Sequence, residues 1–201
     1  NIKQLVSDVE NVNFSYQNYQ ARQVKISSVI EKMSGNSGLT EEFIYHAMQN
    51  TGEKYAVLSS ATEDRTMMGK IPMCKINDKP LKVFEGKEGL LVTRNGKAGT
   101  TRFLPKGKYT INDHAYILYV KDSSPYEIDL KWLAIQYRSE FLQYTSNSDN
   151  GTWNMTGFFK QVKIDIPHID EQRRLVELYD KLATIQELSN QLNDSIPRLL
   201  N

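Results

Sequence analysis

The 201-residue sequence predicts an α+β fold: a twisted, mainly antiparallel β-sheet domain with flanking helices and a long C-terminal helix that forms a coiled-coil arm. Three observations point to it. Short β-like runs divided by turn residues fill Tyr55 to Tyr119, helix-period apolar patterns lie before and after them, and a leucine–isoleucine stripe closes the chain.

In chain order, Ile2, Leu5, Val9, Val12, Tyr16 and Tyr19 recur at helical spacing and predict an amphipathic helix. Val24, Ile26, Val29 and Ile30 read as a strand and its end. Ser34-Gly35-Asn36-Ser37-Gly38 is a loop by composition. Thr40 opens a short helix that runs to Met48 and stops at Asn50-Thr51-Gly52. The β-like runs are Tyr55–Leu58, Met73–Ile76, Leu81–Phe84, Leu90–Thr93, Thr101–Leu104 and Ala115–Val120. Asn77-Asp78, Asn95-Gly96 and Pro105-Lys106-Gly107 mark turns between them. Asp129 caps a helix through Leu130, Leu133, Ile135, Tyr137 and Leu142. A polar loop over Thr145 to Thr152 follows, then Phe158-Phe159 and the alternation Val162, Ile164, Ile166 of a strand ending before Pro167.

The last stripe, Leu175, Leu178, Leu182, Ile185, Leu188, Leu192 and Ile196, predicts a helix over 170–196 that Pro197 ends. It approximates a heptad seam with one slip, so it calls for a partner helix. The chain therefore divides into residues 1–22, 23–167 and 168–201.

Hydrophobic residues at 39% and aromatics at 10% suffice for a core. The single Cys74 excludes an internal disulfide or a cysteine zinc cluster, and it fits a reducing, cytoplasmic setting. No apolar run approaches the ~18 residues of a membrane span, and no signal peptide is visible, so no membrane association is expected. The chain begins at Asn1 without a methionine, as a piece of a longer protein would.

A net charge of +1 hides a concentration of cations. Arg65, Lys70, Lys75, Lys79, Lys82, Lys87, Arg94, Lys97, Arg102, Lys106 and Lys108 face only Asp78, Glu85 and Glu88, so this segment carries +8 against −7 elsewhere. Such a stretch suits one polyanion-binding surface; a solvated lysine-rich face is the alternative.

No catalytic constellation is visible. His46, His114 and His168 are isolated from one another and from Cys74, so no metal site is expected. No phosphate-cradling glycine loop appears, and no cofactor is expected. Asp78, Glu85 and Lys87 resemble the carboxylate–lysine pattern of some metal-dependent nucleases, which is the enzymatic alternative. A helix-mediated interaction adaptor is a further one.

Three loops carry polyanion-reading chemistry. Thr93, Arg94, Asn95, Lys97, Thr100, Thr101 and Arg102 surround two glycines at a hairpin tip. Arginine suits guanine edges and phosphates, asparagine suits adenine, and glycine allows close backbone approach. Ser59, Ser60, Thr62, Arg65 and Lys70 follow the Tyr55 strand. Asn147, Trp153 and Asn154 belong to the polar loop before the last strand, where Trp153 serves either as a core plug or as a stacking group.

The order of these features resembles a target recognition domain of the specificity subunits of type I restriction-modification systems. The run comprises Tyr55 to Ser60, Leu91 to Gly99, Asn112, the Asp129 helix and Val162–Pro167 leading into Asp170–Val176. The Ile164-Asp165-Ile166-Pro167 to Glu171-Gln172 junction is its most specific part. The resemblance covers roughly residues 24–196; the leading helix and Pro167-His168 depart from the common pattern. It implies a sequence reader of double-stranded DNA without catalysis of its own, around which methyltransferase and endonuclease subunits dock. A full subunit carries two such domains held apart by antiparallel long helices. By that plan this chain would be half of a subunit, and the helix face of Leu175, Leu178, Leu182, Ile185, Leu188 and Leu192 is expected to pair antiparallel with a second long helix, from the residues 1–20 segment, from another copy as a homodimer, or from the missing part of a longer parent. Related domains also end single-chain restriction-methylation enzymes.

Overall fold

The computed structural model describes residues 21–61, 67–146 and 151–199, with side chains through 191. The expected helix at the start of the chain lies outside the described residues.

Two four-stranded sheets carry the domain. One has the order β4 (Met67–Pro72), β3 (Lys54–Leu58), β10 (Lys108–Ile111), β7 (Phe84–Glu85). The other has the order β2 (Ile30–Ser34), β11 (Ala115–Val120), β8 (Gly89–Thr93), β9 (Thr101–Leu104). Only β10–β3 is parallel in these sheets. Among the described residues there are also two small ribbons, β1 (Arg22–Lys25) with β12 (Lys163–Ile166) and β5 (Lys75–Ile76) with β6 (Lys79–Pro80). The expected α+β class with mainly antiparallel pairing holds, but as two sheets.

The sequence of β8 explains the layering. Leu90 and Val92 point into a helical layer of Trp132, Leu133, Phe141 and Phe158, whereas Leu91 points between the sheets toward Leu58, Ile111 and Ile117. A strand covered on both faces reads as an unbroken apolar run. The outer face of the first sheet, Val57 and Ile71, packs on helix α2 (Glu41–Ala47) through Ile44 and Ala47. Thr40 caps that helix by accepting the Phe43 N–H at 3.2 Å.

Several elements differ from expectation. Residues 24–30 are interrupted by one helical turn, α1 (Ile26–Val29), because Ile26 and Val29 are both buried at a spacing of three. The strands expected at Met73–Ile76 and Leu81–Phe84 shrink and shift, while β4 and β10 arise in stretches with little apolar alternation. The Asp129-capped helix breaks at Tyr137 into α3 (Leu130–Gln136) and α4 (Arg138–Gln143). Phe158 and Phe159 sit in a short helix, α5 (Met155–Gln161), capped by Asn154. The long helix α6 (Ile169–Leu199) continues past Pro197, where the missing N–H removes a single ladder bond near the helix end.

Two glycines are obligatory where segments cross. A Cβ at Gly35 would lie 1.7 Å from the Asn112 carbonyl oxygen. Gly99 combines a φ of +80° with a Cβ position 2.5 Å from the Phe141 carbonyl oxygen.

Candidate nucleic-acid interface

β8 ends at Thr93, whose side chain ties two loops together. Thr93 is 2% exposed. Its Oγ1 accepts the Ala61 N–H at 2.9 Å and lies 2.9 Å from Thr100 Oγ1 and 3.5 Å from Ser60 Oγ. The Gly99 N–H donates to the Thr93 carbonyl at 2.9 Å, which closes the hairpin tip. Ser60 and the 93–100 tip are thereby held side by side.

The next two residues recruit two more loops. The Arg94 N–H donates to the His114 carbonyl at 2.7 Å, and the Trp153 N–H donates to the Arg94 carbonyl at 2.7 Å. Arg94 Nη1 donates to the Asp113 carbonyl at 3.1 Å, and the guanidinium carbon lies 5.9 Å from the Tyr116 ring centre. That contact uses one of five guanidinium N–H groups. Asn95 Nδ2 lies 3.1 Å from His114 Nδ1, and Thr152 Oγ1 donates to Asn95 Oδ1 at 3.2 Å.

Asn112, only 4% exposed, braces this arrangement from below. Its Nδ2 donates to Ser59 Oγ at 3.0 Å, and its Oδ1 accepts the His114 N–H at 3.1 Å. Ser59, Asn112, Asp113 and His114 line a cleft of about 350 Å³ with Glu41 and Met68. The four loops thus meet at the C-terminal ends of β3, β8 and β10.

Of the residues singled out from sequence, Ser59, Ser60, Thr93, Arg94, Asn95 and Thr100 come together here. Lys97 is exposed on the same tip. Lys70 is exposed on the edge strand β4, opposite Ala56. Thr101 and Arg102 follow one another on β9, opposite Val92 and Leu91, and so alternate onto its two faces. Thr62, Arg65 and Asn147 lie outside the described residues.

Two expectations need correction. Trp153 is a core plug and no stacking group: it is 2% exposed, its Nε1 donates to the Phe141 carbonyl at 2.9 Å, and it packs on Phe141 and Phe158. Thr93 is a buried brace, so its hydroxyl positions the loops and does not reach a ligand. Asn154 is exposed beside Trp153, and its side-chain oxygen accepts the Gly157 N–H at 2.9 Å as a helix cap.

Sequence patterning alone does not bring Asp113 and His114 to this site, because β10 has little apolar alternation and the turn that carries the chain from β10 in one sheet to β11 in the other is therefore not legible as a loop beside the 93–100 tip.

The basic segment is not one continuous strip. It is spread over both sheets and the β5–β6 hairpin, and some of its charge is answered locally. Lys87 bonds Asp122 at 2.6 Å. Lys108 pairs with Glu53, whose hydrogen bond holds the ammonium above its ordinary pKa. Glu85 lies 3.8 Å from Lys108, so Glu85 and Lys87 engage different partners. Among the described residues no three His, Cys, Asp or Glu side chains are grouped as a metal ion would need.

The long helix is anchored at its start. Leu175 and Val176, 6% and 8% exposed, belong to the domain core beside Trp132, so Leu175 is not part of an open face. Farther along, Leu178, Leu182 and Ile185 are half-buried and Leu188 is 54% exposed. The Leu192 side chain lies outside the described residues. No helix among the described residues is long and apolar enough to cross a membrane.

Residues 22–198 match the type I restriction modification DNA specificity domain family. A search of curated proteins finds no match. Among solved structures, the chain is similar to the S subunit of a type I restriction-modification system from M. genitalium, at 17% identity and a TM-score of 0.54, over 89% of this chain and 45% of that one. It is also similar to the HsdS subunit from Thermoanaerobacter tengcongensis, at 16% identity and a TM-score of 0.64, over 98% and 50%. A third similar chain comes from a structure described as the basis of complex assembly and conformational transition of the type I R-M system, at 16% identity and a TM-score of 0.64, over 98% and 47%. The chain thus spans about half the length of the solved structures it matches.

Proposed function

The chain belongs to the type I restriction modification DNA specificity domain family, and from that premise we propose that it reads one half of a split double-stranded DNA site and performs no catalysis itself. The observation that carries this reading is the convergence of Ser59–Ala61, Thr93–Thr100, Asn112–His114 and Thr152 at one end of the two sheets. That end presents Arg94, Lys97, Asn95 and His114 on a hydrogen-bonded frame. Arginine and asparagine discriminate base edges, while lysine adds attraction to phosphate with little sequence preference.

In this reading residues 23–167 are the recognition unit and residues 168–201 the spacer. The exposed stretch of the long helix pairs antiparallel with an equivalent helix, from a second copy or from the rest of a longer chain. Methyltransferase and endonuclease subunits are the expected partners, and the cytoplasm is the expected location.

Selection of bound duplexes from a randomised pool tests the reading, followed by titration of the selected duplex against a scrambled one. An enriched sequence bound at least about a thousandfold more tightly than the scrambled duplex is expected. Equal affinity for all duplexes overturns it. Incubation with plasmid and magnesium addresses the nuclease alternative: intact plasmid is expected, and metal-dependent cutting lost in Glu85→Gln would establish an enzyme.

A further inference from the structure

Asn95 has two hydrogen-bond partners, Thr152 and His114, each of which can donate or accept. Thr152 Oγ1 donates to Oδ1 at 3.2 Å, so Nδ2 is left to meet His114 Nδ1 at 3.1 Å. An amide N–H₂ only donates, so Nδ1 accepts and the imidazole carries its proton on Nε2. The pair then offers two donors to a ligand, the second amide N–H of Asn95 and the Nε2–H of His114, beside the Arg94 fork.

We propose that His114 is a positioning residue which sets the amide orientation of Asn95, so that protonation of its ring changes what this pair presents to DNA. The inference rests on the DNA-reading proposal above. With the ring neutral the row is donor-rich and fits an acceptor edge such as guanine N7 and O6. A protonated ring places a hydrogen on Nδ1, where Nδ2 of Asn95 no longer finds an acceptor. The amide then turns over: Oδ1 accepts from Nδ1, and Nδ2 faces Thr152, whose hydroxyl serves equally as acceptor. The charged groups around the ring are the Asp113 carboxylate, 3.9 Å from Nε2, Glu41 across the cleft, and Arg94 on the Asp113 carbonyl. His114 is exposed and outside the core, so substitutions there leave the fold intact.

The test uses the whole chain and the duplex it selects from a randomised pool, with single-base variants of that duplex, from about pH 5 to pH 8. In the unsubstituted chain, preference at one base position is expected to fall at least about fivefold on acidification, as loss of one base contact produces. His114→Gln, which does not titrate, is expected to give a flat profile at that position. Asn95→Ala is expected to lose the preference at every pH, and a preference at that position kept by Asn95→Ala overturns the inference. Identical pH profiles in the unsubstituted chain and His114→Gln overturn the inference and leave the DNA-reading proposal standing. A chain that selects no sequence removes that proposal and the inference together.

Discussion

The side-chain carbonyl of Gln172 accepts the backbone N–H of Asp129 at 2.8 Å. Gln172 is fully buried, and its Nε2 donates to the carbonyls of Glu127 at 3.0 Å and Pro167 at 2.9 Å. Asp129 in turn accepts the N–H groups of Lys131 and Trp132 and so caps α3. One amide therefore joins the start of the 31-residue helix to the cap of the helix it packs on. At about 1.5 Å per residue the long helix spans roughly 46 Å, so a small change at this joint is magnified at its far end.

Gln172→Leu keeps much of the volume and strands three backbone groups, the buried Pro167 carbonyl and the part-buried Glu127 carbonyl and Asp129 N–H. A loss of about 2–4 kcal/mol is expected, since each unpaired buried group costs about 1–3 kcal/mol. Denaturant unfolding with an unchanged slope and a lower midpoint checks it; an unchanged midpoint would show that water replaces the amide.

Thr93→Val removes the acceptor for the Ala61 N–H without changing side-chain shape. We expect about 1–2 kcal/mol of lost stability from the buried donor and weaker binding to the selected duplex, because Ser60 and the 93–100 tip lose their common brace. Calorimetry and fluorescence anisotropy measure the two effects.

Arg94 and Lys97 share a tip but differ in setting. Arg94 is held by Asp113 and Tyr116, as a base reader must be, whereas Lys97 is exposed. Arg94→Ala is expected to cost about 1–3 kcal/mol of binding and relax preference at one position, while Lys97→Ala weakens all duplexes alike and reduces the salt slope by about one. Unchanged affinity in both variants would remove this surface from the interface.

Lysine substitutions along α6 separate core from arm. Leu175→Lys, at a buried site, is expected to destabilise the domain by several kcal/mol, on the order of the cost of an unpaired buried charge. Leu182→Lys with Ile185→Lys is expected to abolish helix-mediated association and leave unfolding of the domain unchanged. Sedimentation equilibrium decides between them; a monomer at high concentration before any substitution would end the spacer reading.

Glu171 and Arg174 form a two-bond pair at 2.8 and 2.5 Å, and those bonds from Arg174 hold the carboxyl below its ordinary pKa. A lowered folded-state value contributes stability above the ordinary glutamate range, and the contribution fades as pH falls through the lowered value. Arg174→Ala should therefore be less stable than the parent at neutral pH, with the difference vanishing in acid. A difference that persists at low pH would assign it to packing of the arginine stem.

Local patterning in the sequence determined the class of the fold, the Thr40 and Asp129 caps, β9 and β11 at their full lengths, and the long terminal helix. These features depend on spacing within one segment, so a single stretch of chain specifies them. The same patterning picked out the 93–102 tip, because glycines, cations and short polar groups stand together there. Only the tertiary structure decided that four loops meet, that Asp113 and His114 belong with Arg94 and Asn95, and that Trp153 and Thr93 are braces. It also divided one leucine stripe into a buried start at Leu175 and an exposed stretch at Leu188. Such outcomes depend on pairings between distant strands, the parallel β10–β3 contact above all. Whether a threonine or tryptophan is buried is set by the segments that fold over it, and residue type alone leaves both answers open.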